Sequence, residues 1–355
     1  MFVKSLIKKI LLILLLVVVM LTLRSLWYAG FFSTIKMNGQ YNEKIIKGLI
    51  GAEDITIDQK SGKALISSCD RRGIDAGKDI KGAIYLLDLN KMDTGAKNLT
   101  GSFKQEDFRP HGISLYVDPK DTTKWLHVIN HRKEGHFVEI FRYTDTSLIH
   151  IQTIKSNLFK SPNDIVATGP NTFYFTNDHS DEMGALRTIK DFLLIGTGSV
   201  GHYDGNTVKI LANDIRYANG ITIDRDSKKL FVAACTDGSI HVYNIEPFQK
   251  TGKIKCNTGV DNLEWDEEGN LWVGAHPKLL KFLSHASDAN KKSPSHVIKI
   301  ELNNLENPTI KNYYINDGYL FSGSSVAAVY KNKILVGSVF EDGILLLDTS
   351  QIAIE

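Results

Sequence analysis

Past residue 50, apolar positions alternate with polar ones in short runs, each closed by a polar turn and answered by a second apolar run. Six such pairs recur: "ITIDQKSGKALISSC" from Ile55, "ISLYVDPKDTTKWLHVINH" from Ile113, "IVATGPNTFYFTND" from Ile165, "ITIDRDSKKLFVAAC" from Ile221, "LEWDEEGNLWVGAH" from Leu263 and "VAAVYKNKILVGSV" from Val326. Period-two alternation is the signature of half-buried strands, and further alternating runs at 83–89, 137–143 and 239–245 add strands to several copies. The copies stand roughly 54 residues apart, a spacing typical of β-propeller blades. A doubly wound α/β fold would need an amphipathic helix between successive strands, and only 182–192 offers one. The pattern predicts an all-β, six-bladed β-propeller over residues 51–355, with no second domain.

The N-terminus follows a different rule. Lys4, Lys8 and Lys9 precede an unbroken apolar run, 10–23, closed by Arg24. Those residues as a helix span only about 21 Å, short of the roughly 30 Å hydrocarbon core of a bilayer. Continuation through Leu26, Trp27, Tyr28, Phe31 and Phe32 supplies the missing length, with Arg24 snorkelling and the aromatics at the interface. Residues 1–32 are expected to be an N-terminal hydrophobic helix acting as an uncleaved signal anchor or a cleaved signal peptide, and 33–50 a linker. The basic flank puts the body on the extracytoplasmic side of a membrane, anchored or secreted.

Composition adds mainly exclusions. A formal net charge of +2 and the lack of a basic stripe interleaved with aromatics give no case for nucleic acid. Cys69, Cys235 and Cys256 show neither a CxxC pair nor zinc-like spacing. Gly196–Gly201 formally fits GxGxxG, but no helix and acidic partner follow it as a dinucleotide site requires.

The candidate chemistry lies at one position of the repeat. Two residues before each copy stand, in order, Glu53, His111, Asn163, Asn219, Asp261 and Ser324, with Asp54, Asp164 and Asn262 beside three of them. In a propeller the innermost strands line a central channel, so equivalent positions converge near the axis. Glu53, Asn163, Asn219, Asp261 and Asn262 offer carboxylate and amide oxygens and no thiolate, a hard donor set suited to calcium. Two carboxylates among three neutral amides balance the charge of one such ion. Asp54 and Asp164 are placed for a second, deeper ion.

The phrases "AEDITI", "RPHGISLYVD", "HVINH", "PNDIVATGPNTFYFTNDH", "YANGITID", "VDNLEWDEEGNLWVGAHP" and "GSSVAAVYKNKILVGSVF" resemble the serum paraoxonase/arylesterase family, in order, from about residue 50 to 345. The resemblance implies a six-bladed propeller with two calcium ions in its channel, hydrolysing lactones, aryl esters and sometimes organophosphates. It implies a catalytic calcium held by Glu53, Asn163, Asn219, Asp261 and Asn262. It also implies a structural calcium held by Asp54, Asp164 and the main-chain carbonyl of Ile113. The family's histidine pair falls on His111 and His131, and Asp178, His179 and His276 match further polar positions of the channel.

The departures are specific. The family's disulfide joining the chain ends has no counterpart, since residue 42 is Asn and no cysteine follows Cys256. The family's free cysteine is Ala275 here. The segment after "TNDH", which shapes the pocket mouth, differs, so substrate preference does not transfer. His111, oriented by His131, is the first candidate for the base that takes a proton from attacking water. Glu53 or another channel carboxylate is the rival. Small lipophilic lactones or esters are the expected substrates. A gluconolactonase-type enzyme acting on sugar lactones and a non-catalytic, calcium-stabilised binding platform are the alternatives.

Overall fold

The computed structural model describes residues 2–39, 41–180, 184–224, 226–305 and 307–350. Six four-stranded antiparallel sheets follow one another in sequence and meet around an axis through their first strands. These innermost strands are Ala52–Asp58, Pro110–Val117, Pro162–Gly169, Ala218–Asp224, Gly259–Trp265 and Ser324–Tyr330. Each packs against the next, and the last returns to the first. The predicted six-bladed propeller is the observed fold.

The alternation that marked the strands works by pairing blades. One face of each sheet buries its apolar residues against the sheet that follows. Ile55, Ile66 and Leu87 of blade one thus meet Val326, Leu335 and Ile344 of blade six. Leu65 and Ile84, on the other face of blade one, meet Ile113, Leu126 and Phe141 of blade two. The innermost strand of blade one is buried at every residue, whereas the outermost strand of blade two, Leu148–Lys155, is largely exposed.

Ring closure corrects the expected linker. Residues 42–50 are not a connector: Asn42–Ile50 is a strand pairing antiparallel with Asp342–Asp348, from Asn42 opposite Asp348 to Ile46 opposite Ile344 and, after a register shift, Ile50 opposite Asp342. It is the outermost strand of blade six. Both ends of the propeller therefore share one sheet. Hydrogen bonds hold the ring shut, and all three cysteines are free.

Among the described residues four α-helices accompany this ring: α1 (Phe2–Tyr28), α2 (Arg71–Asp75), α3 (Ala185–Phe192) and α4 (Leu279–Ser287). Helix α1 buries none of its residues, and among the described residues it is the one helix long and apolar enough to cross a membrane. At about 40 Å it exceeds the hydrocarbon core. Helix α3 bears out the amphipathic segment expected at 182–192, of which 182 and 183 lie outside the described residues. The formal GxGxxG at 196–201 runs into the strand Gly198–Tyr203, which excludes a dinucleotide turn there.

Candidate functional site

Successive strand residues normally point to opposite faces, yet Glu53–Asp54, Asn163–Asp164 and Asp261–Asn262 must each serve one channel. The backbone resolves this. Every innermost strand has a register shift against its neighbour at this level: between Ala52 and Asp54, Pro110 and Ile113, Pro162 and Ile165, Ala218 and Ile221, Val260 and Leu263, and Ser324 and Val326. A bulge sets extra residues on one strand and re-aims their side chains. Where a second side chain would not fit, the position is glycine. A Cβ on Gly112 would lie 2.5 Å from the Asp164 Cα, and one on Gly220 would lie 2.5 Å from the Asp261 carbonyl oxygen.

The upper layer holds Glu53, Asn163, Asn219, Asp261 and Asn262, all buried. Most spend one polar atom on the protein. Asn262 Nδ2 donates to Glu53 Oε1 at 2.8 Å, Asn163 Nδ2 to Asp178 Oδ2 at 3.4 Å, and His276 Nε2 to Asp261 Oδ2 at 2.7 Å. One oxygen of each residue is left buried without a hydrogen-bond partner: Glu53 Oε2, Asn163 Oδ1, Asn219 Oδ1, Asp261 Oδ1 and Asn262 Oδ1. The cation paired with Glu53 Oε2, Arg71 Nη2 of α2, stands 3.9 Å away. Buried polar atoms are nearly always satisfied, because each orphan forfeits a hydration bond worth about 1–3 kcal/mol. Five orphaned oxygens in one layer are a donor set for a hard cation. Among the described residues no three His, Cys, Asp or Glu side chains cluster as metal ligands; here most of the donors are amides.

The deeper layer differs. Asp54 accepts backbone N–H bonds from Ile55 at 2.9 Å and Ile113 at 2.7 Å, and Asp164 accepts from Ile165 and Ile221, each at 2.7 Å. No oxygen is orphaned here, although a carboxylate has capacity for more than two partners. Burial, then the nearby charge of Glu53 on Asp54 and of Asp54 on Asp164, pushes both carboxyls well above the usual carboxylate range. Two anions left so poorly compensated also suit a cation. Below them a cavity of about 150 Å³ is lined by Thr56, Ser114, Thr222 and Glu264, among others.

Beside the upper layer stand the histidines. His111 Nδ1 lies 2.7 Å from His131 Nε2, and His111 Nε2 lies 3.6 Å from Glu53 Oε1. The structure therefore joins the two predicted histidines and sets them against the upper donor set. It adds one that the sequence reading missed: His136 Nδ1 lies 2.7 Å from His131 Nδ1. The signal was present in "NHRKEGH". His131 and His136 face each other across a hairpin with Arg132 opposite Gly135, so its turn holds only two residues. Directly opposite residues put their side chains on one face. Burial, then the neighbouring His111 and His136, hold His131 well below the ordinary histidine range.

The remaining polar positions tie helices to the site. His179 bridges Asp178 Oδ1 at 2.9 Å and Asp191 of α3 at 3.1 Å, seating α3 above Asn163. His276, which holds Asp261, stacks on Phe282 of α4 with ring centroids 3.8 Å apart. The end of α1 reaches the same face: Leu279 N donates to the Ala29 carbonyl at 3.0 Å, and Ser25 Oγ to that of Phe192. Leu186, Ile189 and Phe192 of α3 and Leu280 and Leu283 of α4 are exposed around it. Ser324 and Ser325 are internal. Ser324 Oγ donates to the Ala275 carbonyl at 3.2 Å and Ser325 Oγ to that of Glu53 at 2.5 Å, so neither is a free nucleophile.

A family model described as Arylesterase matches residues 34–346. Rabbit (Oryctolagus cuniculus) serum paraoxonase/lactonase 3 is 38% identical over 309 residues, covering 83% of this chain and 86% of the relative. Human (Homo sapiens) serum paraoxonase/arylesterase 1 is 37% identical over 311 residues, covering 84% and 86%. Among solved structures, a putative gluconolactonase aligns with a TM-score of 0.53 at 14% identity, over 90% of this chain and 95% of its own, a likeness of fold alone. With the family model spanning the propeller and relatives at this identity over most of both lengths, the chain belongs to the arylesterase family of ester- and lactone-hydrolysing enzymes.

Proposed function

We propose that the protein is a calcium-dependent hydrolase of lactones and aryl esters whose active centre is the upper layer of the channel. The observation that carries this is the set of five orphaned oxygens on Glu53, Asn163, Asn219, Asp261 and Asn262. These residues hold a catalytic calcium, and Asp54, Asp164 and the Ile113 carbonyl hold a structural one. When bound, the upper ion polarises the substrate carbonyl and stabilises the charge that develops on its oxygen.

The protein's own groups do the rest. His111 Nε2 takes the proton of the attacking water, and the bond from His111 Nδ1 to His131 Nε2 fixes the ring's orientation. Glu53 Oε1 is engaged by Asn262 and faces His111, which leaves the carboxylate to hold the cation rather than to act as the base. His276 and Asn262 fix the carboxylates of Asp261 and Glu53, so the donor oxygens are pre-aimed. Family membership sets aside a non-catalytic platform. Helix α1 anchors the protein in a membrane, with the propeller on the extracytoplasmic side, and its junction with the site face favours lipophilic substrates.

The test combines a calorimetric count of bound calcium with release of a chromogenic aryl ester and a lactone, before and after chelation. Two bound ions and hydrolysis that disappears on chelation and returns with calcium are expected. Hydrolysis indifferent to chelation would overturn the reading.

A further inference from the structure

We propose that His136 is the outer member of a three-histidine proton relay, exchanging with solvent the protons that His111 takes up and returns at the reacting centre. This rests on the assignment of His111 as the base and adds a residue and an exit path to it. His111, His131 and His136 form an unbroken line of nitrogen contacts, 2.7 Å from His111 Nδ1 to His131 Nε2 and 2.7 Å from His131 Nδ1 to His136 Nδ1. The line starts at Glu53 and ends at His136 Nε2. That nitrogen has no protein partner among the described residues and is not one of the buried orphan atoms, so it is open to water. The ring itself is half-buried at the hairpin.

A neutral imidazole carries one N–H and one lone pair, so each contact fixes the next tautomer. If His136 Nδ1 accepts from His131 Nδ1–H, then His131 Nε2 must accept from His111 Nδ1–H. That leaves a lone pair on His111 Nε2, the form a base requires. Without His136 the His131 tautomer is no longer held from behind. His131 Nε2–H can then donate to His111 Nδ1, which places the proton on His111 Nε2 and removes the base.

The relay works in two strokes. In the first, His111 Nε2 takes a proton from the attacking water. Its Nδ1 proton passes to His131 Nε2, the His131 Nδ1 proton passes to His136 Nδ1, and the His136 Nε2 proton leaves to solvent. All three tautomers are now reversed. In the second, His136 Nε2 takes a proton from solvent, the same shifts run backwards, and His111 Nε2 delivers a proton to the leaving alkoxide. The strokes cancel for the relay, and the proton lost when the product acid ionises is the one net proton released. Burial lowers the affinity of His131 and His136 for an extra proton, so the charge passes through rather than resting there.

His136 is a positioning residue by this account, since it does not touch substrate. The test uses the full-length, calcium-loaded protein at one pH near neutrality and constant ionic strength, with buffer concentration as the variable. His136→Ala is expected to lower kcat roughly tenfold in dilute buffer, with little change in KM, and to recover as imidazole buffer is added to fill the vacated position. His131→Gln is expected to lose turnover at every buffer concentration, because the glutamine still fills the position and an amide cannot take up and hand on a proton. A His136→Ala rate equal to the parent's in dilute buffer, or reduced by a factor that imidazole does not change, overturns the relay. Unchanged turnover in His131→Gln would instead overturn the assignment of His111 and His131, so the two failures are told apart. A thermal midpoint for His136→Ala within the parent's range shows that a rate loss is not a folding loss.

Discussion

Adjacent residues in one strand are differently satisfied in this channel, Asn163 with an unpartnered oxygen and Asp164 with both oxygens bound to backbone N–H groups. Asn163 presents one neutral, orphaned oxygen among five, and its amide rests on Asp178. Asn163→Ala is expected to leave the fold intact and to cut ester turnover through a cation held in the wrong geometry. Asp164 carries one of two deep carboxylates and binds the backbone of blades three and four through Ile165 and Ile221. Asp164→Ala is expected to lower thermal stability and to weaken its dependence on calcium, since metal bound only by the native state adds its binding energy to folding. Melting curves and rates for both variants across a calcium titration check this; wild-type curves and rates in both would refute it. His127 offers a prediction about pH. It is buried with both ring nitrogens unpartnered by other side chains, packed at 5.8 Å from Phe173, and burial lowers its pKa to about 3 from the usual 6.5. The unfolded chain therefore takes up this proton first as pH falls. Stability is complete above 6.5 and declines towards 3, by up to about 1.4 kcal/mol per pH unit from this one group. His127→Phe is expected to flatten the slope between pH 6.5 and 5, read from urea midpoints. An unchanged slope would assign the acid sensitivity elsewhere.

At the scale of elements, the stretch before the first repeat divides into an apolar helix and a structural strand. Helix α1 buries nothing, so a chain starting at residue 33 is expected to be soluble and folded, while the full-length chain resists carbonate extraction from membranes. A chain starting at residue 51 lacks Asn42–Ile50 and with it the fully buried Leu49 and the pairing with Asp342–Asp348. It leaves a bare edge on blade six and no sheet joining the two ends of the ring. Losing Leu49 alone costs about 2–5 kcal/mol, so this truncation is expected to aggregate or to melt well below the longer one. Equal melting temperatures for the two truncations would show that ring closure does not depend on the strand. The sequence reading took these residues for a linker because the run lies outside the six repeats and no strand adjacent in sequence pairs with it. Its partner lies about 300 residues away.

For the whole molecule, the site, α3, α4 and the end of the apolar helix α1 share one face, which favours the proposal that substrates arrive from an apolar phase. Higher kcat/KM on a long-chain acyl lactone than on gluconolactone is expected, and the reverse order would move the protein towards the sugar lactonases. The fold and the meeting of the repeated polar residues at the axis were both legible in the sequence, because each is periodic. Alternation reported the strands, the repeat reported six blades, and a polar residue at one repeat position reported a ring. Glu53, Asn163, Asn219, Asp261 and Asn262 could be named because symmetry about an axis converts equal sequence position into spatial proximity. What has no period stayed hidden. The bulges that turn Asp54, Asp164 and Asn262 into the same channel are backbone register shifts with no residue signature beyond the glycines at 112 and 220. His136 joined the histidines through a hairpin register, and α3 and α4 joined the site through His179 and His276. The sequence determined which residues repeat and therefore meet at the axis; only the tertiary structure decided which atoms are already satisfied there and which remain to bind, because hydrogen-bond partners come from blades and helices far apart in the chain.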